Sequence, residues 1–92
     1  MEGFVVFNTY QLQEIETGKK NKIDTSIYAK SCYDAKQMWV IRKGLEMDVP
    51  MLYLNAGLNW ELMYEIYKFL VLNKDLDIQI LQMEVEKLCT RG

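Results

Sequence analysis

The sequence predicts an all-α fold: an array of three to three-and-a-half short helix–loop repeats closed by a C-terminal capping helix. Three observations carry that prediction. Segments Phe7–Gly18, Tyr33–Gly44 and Leu58–Phe69 align with one another, 26 and then 25 residues apart. Each opens on an apolar residue and an Asn or Asp, and all three hold Ile at one column (Ile15, Ile41, Ile66). Each is followed by a similar tail: Ile23–Tyr28, Asp48–Tyr53 and Asp77–Leu81. Self-similarity at a fixed period of this length is the mark of stacked helical units, which bury their apolar faces on one another.

The columns have physical reasons. Asn8, Asp34 and Asn59 suit helix N-caps, where a side-chain oxygen accepts from an orphan backbone N–H. Gln11 and Gln37, three places on, can reach back to the cap as in a capping box, whereas Leu62 cannot. Phe7, Tyr33 and Leu58 before the caps pair with Leu12, Met38 and Met63 as hydrophobic staples. Gly18 and Gly44 stand where a left-handed residue would stop a helix. Phe69 replaces them in the third copy, so that helix runs on toward Asn73. The expected helices are 8–18, 34–46 and 59–73, joined by packed extended tails. Residues 78–90 form a terminal helix, with Ile78, Leu81, Gln82, Val85 and Leu88 on one face. Gly3–Val6 resembles the end of a further tail. All of 1–92 reads as one domain, with units at about 7–28, 33–53 and 58–81.

Composition narrows the function. The chain has 92 residues, half of them hydrophobic, and carries no histidine. That removes His-based triads, His metal sites and the commonest general base. Cys32 and Cys89 are too far apart for a zinc motif or a disulfide framework and fit a reducing cytoplasm. Cys32 reads as small core filler, and Met38, Met47, Met51, Met63 and Met83 as core. No apolar run spans a membrane and no signal peptide is expected at the N-terminus. No phosphate-binding loop, dinucleotide fingerprint or nucleophile elbow is present, so neither enzyme activity nor a cofactor or metal is expected. Asp75 and Asp77 lack the remaining ligands of a calcium loop. The net charge of −2 weighs against a phosphate-backbone binder.

The pattern Tyr28-Ala29, Asp34-x-x-Gln37-Met38-x-x-Ile41-Arg42-x-Gly44-Leu45-Glu46, then Asp48-Val49, resembles a short helical repeat of roughly 25 residues. That family occurs in uncharacterised Firmicutes proteins and in proteins of mobile elements such as prophages and plasmids. The resemblance covers about residues 7–81 and is strongest in the second copy; the third departs from it at the Gln and the Gly. It implies a helical scaffold and a mobile-element origin, with no activity attached.

The columns beside the core stripe hold the candidate site. One reads Gln13, Trp39, Tyr64 and the next Glu16, Arg42, Tyr67. Trp, Tyr and Arg are the types enriched at binding hot spots, so Trp39, Arg42, Tyr64 and Tyr67 are the expected partner-binding residues. The competing expectation is that these rings pack between repeats, and Trp60 is open to the same two readings. The expected function is a small non-catalytic protein–protein interaction module. Its sharpest form is a phage- or plasmid-encoded stoichiometric inhibitor of a host defence protein, of the anti-CRISPR or anti-restriction kind. The alternative is a nucleic-acid-binding helical repeat using Lys19, Lys20 and Lys22.

Overall fold

Asn8, Asp34 and Asn59 each start a helix by accepting from the backbone N–H three residues on, at 2.8 Å in all three cases. The computed structural model describes residues 6–91, which are all-helical with no strand among them. Helix α1 spans Thr9–Lys20, α2 Ala35–Glu46, α3 Trp60–Leu72 and α4 Ile78–Arg91, with a short 3-10 turn at Thr25–Ile27. No helix is long and apolar enough to cross a membrane among the described residues. Helix α2 packs on both α1 and α3, and α4 packs on α3.

Gln11 and Gln37 complete their capping boxes and then do more. The Oε1 of each accepts from its own cap N–H at 2.8 Å. The Nε2 of Gln11 donates to the Tyr33 carbonyl at 2.8 Å, and that of Gln37 to the Leu58 carbonyl at 2.7 Å. Tyr33 and Leu58 immediately precede the caps of α2 and α3. Each Gln therefore ties the start of its helix to the start of the next, and α1, α2 and α3 begin side by side. At the other end Asn21, the C-cap of α1, donates to Glu46 in the last turn of α2 at 2.7 Å. Helices α1 and α2 thus run parallel.

The ends of α1 and α2 are built differently from the sequence expectation. Gly18 and Gly44 are helical and buried, and neither has a positive φ. The left-handed residues are Lys22 (φ 61°) and Asp48 (φ 58°), four places later. Ile23 N–H donates to the Gly18 carbonyl at 2.8 Å and Val49 N–H to the Gly44 carbonyl at 3.1 Å. Lys22 N–H reaches the Lys19 carbonyl and Asp48 N–H the Leu45 carbonyl, so both ends are Schellman motifs with a side-chain-bearing residue at C′. Glycine is required one turn back for another reason. Tyr28 and Tyr53 are fully buried and press their hydroxyls against Gly18 and Gly44. A β-carbon at either glycine would overlap the phenol oxygen. Tyr28 Oη donates to the Glu14 carbonyl at 2.6 Å and Tyr53 Oη to the Val40 carbonyl at 2.8 Å. Burial pushes the Tyr28 phenol up to about 12 and raises that of Tyr53 further.

The core is continuous: Ile15, Met38, Ile41, Met63, Ile66 and Leu70 from the first three helices, with Leu81 and Val85 from α4. Several expectations are corrected. Met38 and Met63 are fully buried between helices, but Leu12 is 47% exposed, because α1 has α2 on one side and no described helix on the other. Asp77–Leu81 is no third tail: Asp77 accepts from Gln79 N–H at 2.8 Å and starts α4. The third helix does end at Asn73, as the sequence predicts, and the Asn73 side chain donates to the Phe69 carbonyl at 2.8 Å. Ile78 is half-exposed although expected on the buried face, being on the first turn of α4. Met47 and Met83 are exposed, and so is Cys32, where Tyr33 takes the buried place beside it. Gly3–Val5 of the further tail lie outside the described residues.

Candidate functional site

Four aromatic side chains meet across α2 and α3. Trp39 and Tyr64 come from the same column of adjacent segments, and their ring centroids are 5.4 Å apart. Trp60, one turn before Tyr64, meets Trp39 edge-on at 6.5 Å. Tyr67 stacks on Tyr64 at 5.7 Å. Spacings of three and four on a helix bring such rings onto one face. Lysines follow the same logic: Lys36 and Lys43 flank Trp39 on α2, and Lys68 follows Tyr64 on α3. The Lys36 ammonium lies 5.0 Å from the Trp60 ring centroid, Lys43 5.9 Å from that of Trp39, and Lys68 5.0 Å from that of Tyr64. A cation over a ring face is favoured by the ring quadrupole, by about 0.5–1 kcal/mol at exposed sites.

The structure brings the four expected residues together but exposes them unequally. Trp39 and Tyr64 are half-buried and border solvent. Tyr67 is buried, and burial, reinforced by Tyr64 and Glu46, raises its phenol above the ordinary value. Arg42 is only 12% exposed and bridges two helices. Its Nε donates to Glu14 of α1 at 2.9 Å and its Nη1 to Glu46 at 2.6 Å. Burial disfavours its charge, but the hydrogen bonds to the two carboxylates outweigh it and raise the guanidinium value. For Glu46, burial is likewise outweighed, by hydrogen bonds from Asn21 and Arg42, and its carboxyl falls below the ordinary value. Arg42 therefore ties α1 to α2 through Glu14.

Beside Trp39 and Trp60 opens a groove of about 650 Å³, running between the starts of α1 and α2. Tyr10 forms one wall and is 69% exposed. Gln13, Glu14, Asn8, Asp34, Ala35 and Lys36 complete the lining. The groove acids are engaged: Glu14 pairs with Arg42, and Asp34 accepts from the first turn of α2. Sequence reasoning missed Tyr10, which lies in the column of Lys36 and Glu61 and has no ring in either neighbour to mark it. The Glu14–Arg42 pair, 28 residues apart, has no local signature either.

Lys19, Lys20 and Lys22 are exposed at the end of α1, away from the groove-lining residues at its start. There they complement the negative end of the helix. No metal-holding group of side chains occurs among the described residues. No protein-family model matches the chain, and no similar curated protein or solved structure is found.

Proposed function

We propose that this chain is a short array of helix–loop repeats, closed by α4, that acts as a non-catalytic protein-binding module. Its contact face is built on Trp39 and Tyr64, extended by Trp60 and Tyr10, while Tyr67 stacks on Tyr64 and Arg42 ties α2 to α1. The observation that carries this reading is the half-exposed cluster of Trp39, Trp60 and Tyr64 bordering an apolar groove of about 650 Å³. Large rings fixed by their neighbours supply contact area at little entropic cost, which is what binding hot spots need. Asn8 and Asp34 in the groove are engaged in helix caps and Glu14 in an ion pair, which supports binding over catalysis. The resemblance to mobile-element repeats extends the proposal: the partner is a host defence protein, held by stoichiometric inhibition.

Nucleic-acid binding through Lys19, Lys20 and Lys22 is the weaker reading. Sequence-tolerant strand binders stack bases on open ring faces. Here the rings lie against one another and beneath lysine ammoniums.

The experiment is affinity capture from host lysate with the parent, Trp39→Ala and Tyr64→Ala, each also melted by circular dichroism. Loss of one central ring should weaken capture of the same partner by about 2 kcal/mol, roughly thirtyfold, with helix content kept. Full capture by both variants, or unfolding of both, contradicts the proposal.

A further inference from the structure

The lysines around the groove say more about the partner than the rings do. Lys36 is exposed and lines the groove with its ammonium over Trp60, and Lys43 stands over the ring of Trp39. Neither ammonium has a carboxylate within salt-bridge distance among the described residues, whereas Arg42, Lys68 and Lys87 all do. Of the nearby acids, Glu14 and Glu46 hydrogen-bond to Arg42, with Lys43 also acting on Glu46, and Asp34 accepts from the first turn of α2. Two ammoniums thus lie over Trp39 and Trp60, two of the rings that wall the apolar slot with Tyr10; Lys36 is part of the lining and Lys43 stands outside it.

We propose that the groove takes an acidic peptide segment of the partner protein, with one apolar or aromatic side chain in the slot and flanking carboxylates on Lys36 and Lys43. This rests on the protein-binding reading above and specifies its chemistry. The ammoniums already sit over the rings, so part of the ordering cost of the cations is met before binding. The chain's net charge of −2 opposes this little, since charges more than about 8–10 Å away are screened at physiological salt. A basic segment would meet Lys36 and Lys43 directly and find Glu14 already paired with Arg42. A nucleic-acid strand would supply the anions but would have to displace the lysines to reach the covered faces of Trp39 and Trp60.

The test uses three fluorescein-labelled probes on the whole chain: a nine-residue peptide alternating Asp or Glu with Phe or Leu, the same peptide with Lys for each acid, and a fifteen-nucleotide oligo-dT. The acidic peptide should bind at least about tenfold more tightly than the basic one and weaken as salt rises. Lys36→Glu with Lys43→Gln should lower that affinity about tenfold or more, with the melt retained, because Glu at the second helical position suits the N-terminal dipole. Equal or tighter binding of the basic peptide, tighter binding of the oligonucleotide, or indifference to the lysine substitutions overturns the proposal. Lysate capture separates the two readings. If Tyr10→Ala abolishes capture and the lysine substitutions do not, the face stands and the acidic partner falls. If none of these substitutions affects capture, both fall.

Discussion

The side-chain amide of Gln37 donates to the main-chain carbonyl of Leu58 at 2.7 Å while its oxygen closes the cap of its own helix. One side chain thereby fixes both where α2 begins and where α3 begins beside it. Gln11 repeats the relationship with Tyr33. The third segment carries Leu62 at this column and makes no such tie.

That geometry predicts an asymmetric cost. Gln37→Leu imitates the third segment but removes the part-buried hydrogen bonds to the Asp34 N–H and the Leu58 carbonyl, and an intramolecular hydrogen bond contributes about 0.5–1.5 kcal/mol net. Urea melts should show a loss in that range for Gln37→Leu and a similar one for Gln11→Leu. A parent-like midpoint would mean that the ties carry no stability.

Gly44→Ala distinguishes two roles for glycine by sign. In a helix interior, alanine is worth about 1 kcal/mol over glycine. Here the methyl would overlap the Tyr53 hydroxyl and come within 2.6 Å of the Met51 methyl. Overpacking of this kind costs about 1–3 kcal/mol, so the variant should be destabilised. The double variant Gly44→Ala, Tyr53→Phe should recover part of the loss in the same thermal melt. A stabilised single variant would show that the tyrosine does not need the space.

Lys22 and Asp48 hold left-handed backbone, which costs a residue with a β-carbon roughly 1–2 kcal/mol. Glycine removes that cost and adds back some unfolded-state entropy. Lys22→Gly should therefore raise the melting temperature modestly, and Asp48→Gly should do the same. A drop in both would refute the Schellman assignment.

Stability should fall at both extremes of pH, for different reasons. The Tyr28 phenol is raised from 10.0 to about 12 by burial, so the unfolded chain loses its proton first. The stability it holds is complete below pH 10 and declines as pH rises through 12, with a limiting slope of about 1.4 kcal/mol per pH unit. Tyr28→Phe should flatten that limb in chemical-denaturation curves taken from pH 9 upward. Glu46 is lowered below 4.5, so its contribution is present above that value and lost as pH falls through the folded one. Glu46→Gln should soften the acid limb. Unchanged limbs in both variants would assign the pH dependence to other groups.

Much of the fold was legible because caps are local chemistry. Asn8, Asp34 and Asn59 announce helix starts by residue type, and Gln11 and Gln37 by spacing. The roles of Gly18 and Gly44 were hidden because each answers to a tyrosine hydroxyl arriving from the following tail, and proximity to a helix end suggested a different job. Leu12 and Met38 share a column, yet only Met38 has a helix on both sides; position in the stack, which the column does not record, decides burial. At the candidate site Trp39 and Tyr64 were visible as residue types beside the core stripe. The pairing of Arg42 with Glu14, and the exposure of Tyr10 against the burial of Tyr67, depend on how adjacent helices meet.

Tyr10→Ala tests the binding face most directly, because a ring 69% exposed on the first turn of α1 contributes little to folding. The measurement is a titration of the captured partner protein against the parent and Tyr10→Ala, beside their thermal melts. The account predicts matching melting temperatures and a partner affinity lowered by about tenfold or more, ~1.4 kcal/mol. Equal affinity with an intact fold would contradict it and move the partner surface away from the groove.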